Sequence, residues 1–260
     1  MALVNYSKDE GVALLELDSP PANTYSYELM RELDAAVLEA RMDERVHVLV
    51  MTGAGERFFC SGADIGMLNR AASEFKYYFC LHANETLHRL EQTPKLVIAA
   101  LNGHTVGGGL EVALAADLRI AKKDGGKIGL PEVKLGVLPG TGGTQRLARL
   151  LGRSRAIELM VTGRLMSFDE AETLGIVNSL LPAERFRERV LEYAFEFVPP
   201  RKAAKAVGHI KRAVCSGLEM PFSEALALER ELQQQLFVSS DAKEGIAAHI
   251  AKRVPEFKGN

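Results

Sequence analysis

The run Leu96-Val-Ile-Ala-Ala-Leu101 is the longest uncharged apolar stretch in the first half of the chain. At six residues it is far shorter than the roughly 18 that cross a membrane. It reads instead as a strand covered on both faces, and such a strand needs helices on each side of its sheet. The neighbouring sequence meets that need. Val12–Leu17 reads as a strand closed by Ser19-Pro20-Pro21, and residues 47–51 as another, stopped by Thr52-Gly53-Ala54-Gly55. Residues 27–41 place Leu29, Met30, Leu33, Ala36, Val37 and Ala40 at amphipathic-helix spacing. Residues 76–92 read as a second helix ended by Pro94, and a further helical stretch begins at Ala63 or Asp64 after the loop at residues 58–62. Residues 110–121, Ala-rich and free of Gly and Pro, read as another helix. The alternation predicts an α/β fold.

Beyond about residue 145 the pattern changes. Residues 145–162 and 167–174 read as helices and 176–181 as a short strand. Residues 183–260 are helical almost throughout, with breaks at Pro199-Pro200 and Pro221. The expected division is an α/β core over residues 1–200 and a helical assembly region over 201–260. The polar run at 229–235 reads as a solvated face unless a partner subunit covers it.

The 32 basic side chains nearly balance 34 acidic ones, giving a net charge of −2. This provides no general electrostatic footprint for nucleic acid or an anionic membrane, so neither is an expected partner and any anionic ligand must be met locally. Cys60, Cys80 and Cys215 form no C-x-x-C and read as reduced thiols of a cytosol-like compartment. Acidic residues precede any apolar run at the N-terminus, so no secretory signal is expected and the chain reads as cytoplasmic. The six histidines have no metal-ligand spacing, and no metal is expected.

Two glycine-containing loops, at residues 61–64 and 106–109, each feed a helix. Neither fits G-x-G-x-x-G or the phosphate-loop pattern. They read as tight turns, or else as two sets of backbone N–H donors that together make an oxyanion hole. Glu111 and Glu132 each fall near a helix start. Either can simply complement a helix dipole. If they converge, two carboxyls that cannot both ionise easily can serve as one proton acceptor and one proton donor.

Three ordered motifs carry a resemblance: residues 59–65 (FCSGADI), 102–112 (NGHTVGGGLEV) and 130–147 (LPEVKLGVLPGTGGTQRL). With residues 237–245 and Lys252-Arg253 they resemble the enoyl-CoA hydratase/isomerase (crotonase) superfamily over essentially the whole chain. The resemblance implies a crotonase-like spiral of ββα units with a C-terminal helical assembly region. It implies thioester-oxygen donors at the backbone N–H of Ala63 and Gly108, catalytic carboxylates at Glu111 and Glu132, and a water-positioning backbone at Gly140. Asp64, Ile65 and Gly66 would line the coenzyme A thioester, and Phe237 and Lys252 would reach the CoA of a neighbouring subunit in a trimer or dimer of trimers. The CoA thioester is then substrate, with no prosthetic group.

The sequence departs from the family pattern at Asp124-Gly125-Gly126, a one-residue turn insertion, and at Asn23-Thr-Tyr-Ser26, where Asn-Ala-Leu is more usual near the CoA pocket and where the change bears on substrate fit rather than chemistry. Met67, Leu68, Phe75, Tyr78 and Phe79 read as core packing, with an acyl pocket as the alternative. The leading activity is hydration of a trans-2-enoyl-CoA. A Δ3,Δ2-enoyl-CoA isomerase generally keeps only the second glutamate, so Glu111 argues against it. Hydration of a branched or cyclic enoyl-CoA stays open, and the balanced charge argues against an RNA-binding member of the superfamily.

Overall fold

A computed structural model describes residues 2–260. Strands β1 (Val4–Asp9) and β2 (Val12–Leu17) form an antiparallel hairpin. β3 (Val48–Gly53), β5 (Leu96–Leu101), β7 (Leu118–Lys122) and β10 (Ser179–Leu181) extend it into a six-stranded sheet of order β1-β2-β3-β5-β7-β10. Every pairing beyond the hairpin is parallel. A second sheet, β4-β6-β8-β9, consists of β4 (Phe58–Cys60), β6 (His104–Val106), β8 (Lys127–Gly129) and β9 (Met166–Ser167).

The chain alternates between the sheets: β3 leads to β4, β5 to β6, and β7 to β8. Helical segments close each round. α1 (Tyr27–Met42) follows the hairpin; α2 (Ile65–Arg70) and α3 (Ser73–Glu91) follow β4; α4 (Gly108–Leu114) follows β6. A single 3-10 turn at Glu132–Leu135 follows β8, then α5 (Gly143–Leu151) and α6 (Arg153–Thr162). The fold is the crotonase-like α/β spiral of ββα units.

The central parallel strands β3 and β5 are almost wholly apolar because both faces of their sheet are buried. Leu15, Leu17, Leu49, Met51, Ala99 and Leu101 join the core with α1 and α3 residues such as Leu29, Leu33, Leu87 and Leu90. The alternate residues Val12, Leu14, Val48, Val50, Ile98 and Ala100 pack instead with Phe186, Val190 and Ala194 of α8 (Phe186–Phe195). α7 (Phe168–Thr173), α9 (Ala204–Gly217), α10 (Phe222–Phe237) and α11 (Ser240–Ala251) complete the chain. The buried Lys211 of α9 pairs with Asp117 at 2.8 Å and donates to the Lys95 carbonyl at 3.1 Å, holding α9 at the ends of β5 and β7. Among the described residues no helix is long and apolar enough to cross a membrane, and no cluster of potential metal ligands occurs.

Several expectations are corrected. The helix anticipated over 110–121 is the short α4 followed by strand β7. Helix propensity loses to tertiary pairing there, since 118–122 slots between β5 and β10. The single helix over 145–162 is two, broken at Gly152. The strand anticipated from residue 176 spans only Ser179–Leu181, and the loop at 58–62 begins as strand β4. α2 starts at Ile65, because Asp64 is its cap, accepting from Met67 N at 3.0 Å. Asp124-Gly125-Gly126 does form the turn between β7 and β8. Of the five residues read as core, Phe79 is buried and Met67 and Leu68 pack against the core, whereas Phe75 and Tyr78 are exposed. At residues 229–235 all but Leu232 are exposed.

The two sheets are joined where β3 and β5 end. Buried Asn102 donates to the carbonyls of Gly53 (2.9 Å) and Gly55 (2.8 Å) and accepts from Gly53 N (3.1 Å) and Thr52 Oγ1 (3.2 Å). Asn102→Ala strands these groups, and we expect it to cost about 2–4 kcal/mol in chemical denaturation. A loss under about 0.5 kcal/mol, the range of an ordinary surface substitution, would show that the junction is held otherwise.

Candidate active site

The small sheet sets the site through its register. Cys60 of β4 pairs with Thr105 of β6 in parallel, so Ala63 and Gly108 each lie three residues past a paired position. Val106 pairs with Gly129 of β8, and Glu132 lies three residues past that. Three strand ends thus deliver the two N–H groups and one carboxylate to the same edge of the sheet. Open α/β sheets bind ligands outside such carboxyl ends.

The strand-to-helix turns need glycine for two different reasons. Gly62 has φ +95°, a region that side chains rarely tolerate, and a Cβ on it would lie 3.0 Å from Gly108 N. Gly108 has no room: a Cβ there would lie 2.1 Å from the Tyr25 hydroxyl oxygen. The backbones of the two loops are therefore adjacent. Neither Ala63 N–H nor Gly108 N–H donates to an acceptor among the described residues, while the flanking Asp64 N and Gly107 N are both engaged.

Glu111, in the first turn of α4, is 2% exposed. Its Oε1 accepts from Thr141 N (2.8 Å) and Gly143 N (2.7 Å), and its Oε2 accepts from the Thr141 hydroxyl. Burial raises its pKa, and these donors, with the Arg146 charge, oppose the rise by favouring the ionised form. Arg146 is itself fixed by Glu91 at 3.0 Å and donates to the Thr141 carbonyl at 3.3 Å.

Glu132 is held differently. Its Oε1 faces Gly107, where a Cβ would be 3.1 Å away, so it sits beside the start of α4. Its buried Oε2 has no hydrogen-bond partner among the described residues. Burial first, then the neighbouring Glu111 charge, pushes its pKa up to about 7. Near neutral pH, Glu132 can release a proton while Glu111 is equipped to accept one.

The other anticipated residues are more dispersed. Gly140 lies one residue before Thr141, and its carbonyl accepts from Asn84 Nδ2 at 3.2 Å. Asp64 spends its carboxylate on capping α2; Ile65 and Gly66 are exposed in its first turn. Phe237, at the end of α10, lines a groove of about 300 Å³ with Ala206, Ala242 and Phe257, away from the two glutamates. Lys252 is an exposed C-cap of α11. Thr141, Gly143 and Asn84 were not anticipated beside the glutamates, and Tyr25 was anticipated only as part of a segment bearing on substrate fit. The glycine-rich segment before α5 was the available signal for Thr141 and Gly143.

Fold and site together bring two neighbouring carboxyls and two unengaged backbone N–H groups to one edge of the small sheet. The chain belongs to the enoyl-CoA hydratase/isomerase family, whose pattern it matches over residues 7–260. It is 36% identical to a probable enoyl-CoA hydratase of Bacillus subtilis (strain 168), with both chains covered completely. It is also 36% identical to a short-chain-enoyl-CoA hydratase of Clostridium acetobutylicum, covering 95% of this chain and 94% of that protein. A solved enoyl-CoA hydratase of Bacillus anthracis superposes with a TM-score of 0.92 at 33% identity, covering 99% and 100% of the two chains.

Gly108→Ala should drive its methyl group into Tyr25 and displace the Gly108 N–H. We expect turnover to fall at least about 100-fold, the usual loss for one oxyanion donor. Steady-state kinetics on the folded variant checks this, and near-native turnover would remove Gly108 from the site.

Proposed function

We propose that the chain adds water to a trans-2-enoyl-CoA to give a 3-hydroxyacyl-CoA, with Glu111 and Glu132 acting on one water molecule. The observation that carries the mechanism is the unequal holding of two neighbouring carboxylates: Glu111 receives three hydrogen bonds, whereas Glu132 keeps an unpartnered oxygen and a pKa of about 7. Relatives named short-chain-enoyl-CoA hydratase and crotonyl-CoA hydratase support this substrate class.

In this mechanism the thioester oxygen accepts from Ala63 N–H and Gly108 N–H. Attack of water on the β-carbon moves an electron pair toward that oxygen, and fixed donors stabilise the enolate-like state more than the neutral substrate. Glu111 takes a proton from the water as the C–O bond forms. Glu132 gives its proton to the α-carbon as the enolate collapses, and the two carboxyls re-exchange a proton before the next turnover. Gly140 N–H, which has no acceptor among the described residues, supports the water position. Ile65 and Gly66 present exposed surface beside the thioester, and Asp64 shapes that surface by capping α2.

The residue 201–260 helices serve assembly into a trimer or dimer of trimers, in which Phe237 and Lys252 reach a neighbouring subunit's CoA. Supporting this, α9 and the start of α10 expose Ile210, Val214, Leu218 and Phe222, a row of apolar residues of the kind subunit interfaces cover. Lys252 would supply a local cation for a CoA phosphate.

Loss of the conjugated enoyl-thioester absorbance of crotonyl-CoA tests the activity. Glu111→Gln and Glu132→Gln should each lower kcat about 100-fold or more, as expected for a proton-transfer group. Glu132 must be protonated at the start, so wild-type kcat/KM should fall as pH rises through about 7, and Glu132→Gln should lose that limb. Near-native turnover in either variant would contradict the paired mechanism.

A further inference from the structure

Tyr25 meets the Ala63 strand end, Gly108 and Thr141, although it lies in the segment where the sequence departs from the family pattern. Its backbone pairs in parallel with Ala63, extending the small sheet beyond β4: Tyr25 N donates to Gly62 O at 2.9 Å, and Tyr25 O accepts from Asp64 N at 3.0 Å. The peptide carrying the Ala63 N–H is thereby held on both sides. The ring is 2% exposed, and its phenolic end lies against Gly108 so closely that no Cβ fits between them. The hydroxyl is 3.2 Å from Thr141 Oγ1, whose own hydroxyl bonds Glu111.

The direction of that chain of bonds follows from a proton count. A threonine hydroxyl has one proton to donate. An ionised Glu111 can only accept, so the Thr141 proton is committed to it, and the phenol must then donate to Thr141 Oγ1. Resting on the hydration chemistry assigned above, we propose that Tyr25 is a positioning residue: its phenol locks the Thr141 hydroxyl onto Glu111 while its ring seats the Gly108 donor. One side chain thus couples the orientation of the base to that of the oxyanion hole. Leucine, common in the family pattern, can fill the space but offers no donor.

Burial holds the Tyr25 phenol well above its ordinary pKa, so it stays protonated across the working pH range. Each donor in a chain polarises the next, so the phenol strengthens the bond Thr141 makes to the Glu111 carboxylate and favours its ionised form. Other groups also act on Glu111 or the phenol: Arg146 of α5 favours Glu111 ionisation, Glu132 of the 3-10 turn opposes it, and Cys80 of α3 and Cys60 of β4 couple weakly to the phenol. None of them is altered by Tyr25→Phe, which keeps the ring and removes only the donor.

The direct test follows the Glu111 carboxyl by NMR in the full chain labelled with carboxyl-13C glutamate, its resonance identified by disappearance in Glu111→Gln. In Tyr25→Phe the titration should move upward by about half a pH unit, and in Thr141→Val further, by about one, whereas Thr141→Ser should stay near wild type. With crotonyl-CoA, the acidic limb of kcat/KM should move the same way in Tyr25→Phe, with KM little changed and the ratio to wild type approaching one at high pH. A Glu111 titration unmoved in Tyr25→Phe, or a loss of rate equal at every pH, would overturn the proposal. If Tyr25→Phe does not fold, Tyr25→Leu, which fills the space without a donor, is titrated in its place: an upward shift supports the proposal and an unmoved Glu111 overturns it. A wild type that leaves crotonyl-CoA and its longer, branched and cyclic analogues unhydrated would refute the hydration chemistry, while the titration still reports on the wiring of Tyr25 to Glu111.

Discussion

Parallel pairing of three short strands governs this site. β4, β6 and β8 contribute only three residues each, yet their register decides where three chain segments end. A one-residue slip between β4 and β6 would reverse the facing of one N–H relative to the other, because side chains and backbone groups alternate along a strand. The long sheet beneath makes the register costly to change. β3 and β5 are buried on both faces and clamped at their ends by Asn102. The small sheet inherits its alignment from them through the short links at residues 54–57 and 102–103.

Onto this frame the fold places two carboxyls in surroundings that oppose ionisation. Burying a carboxylate without partners costs several kcal/mol, and proteins usually answer by supplying donors or by neutralising the group. Both answers occur here, one on each residue. Glu111 has donors from Thr141 and Gly143, while Glu132 lacks a partner for one oxygen and moves toward neutrality near pH 7. Their mutual repulsion reinforces the split. In the proposed mechanism this places a proton donor and a proton acceptor together before substrate arrives, as addition of water across an activated double bond requires.

Much of this was legible in the sequence, for identifiable reasons. The continuous apolar runs at 96–101 and 12–15 reveal strands because burial on both faces leaves no polar alternation. The glycines at 62 and 108 mark their turns, the first through its positive φ and the second because no side chain fits against Tyr25. What stayed hidden depends on partners distant in the chain. Residues 118–122 look helical until β5 and β10 are placed beside them. Thr141 reaches Glu111 across 30 positions and Tyr25 reaches Thr141 across 116, and no local pattern encodes such contacts. Tyr25 was visible as a departure from the family pattern, but its bearing on the site became readable only once the ring was found against Gly108.

The central claim is that one water molecule is divided between the two glutamates, its oxygen going to the β-carbon while a solvent-exchangeable proton reaches the α-carbon. Turnover of crotonyl-CoA in water enriched in both oxygen-18 and deuterium reads this directly by mass spectrometry of the product. The account predicts a 3-hydroxyacyl-CoA carrying one oxygen-18 at the β-carbon and one deuterium at the α-carbon, in equal amounts from the first turnovers. Deuterium entering the acyl chain without oxygen-18, as double-bond migration alone would give, would contradict it.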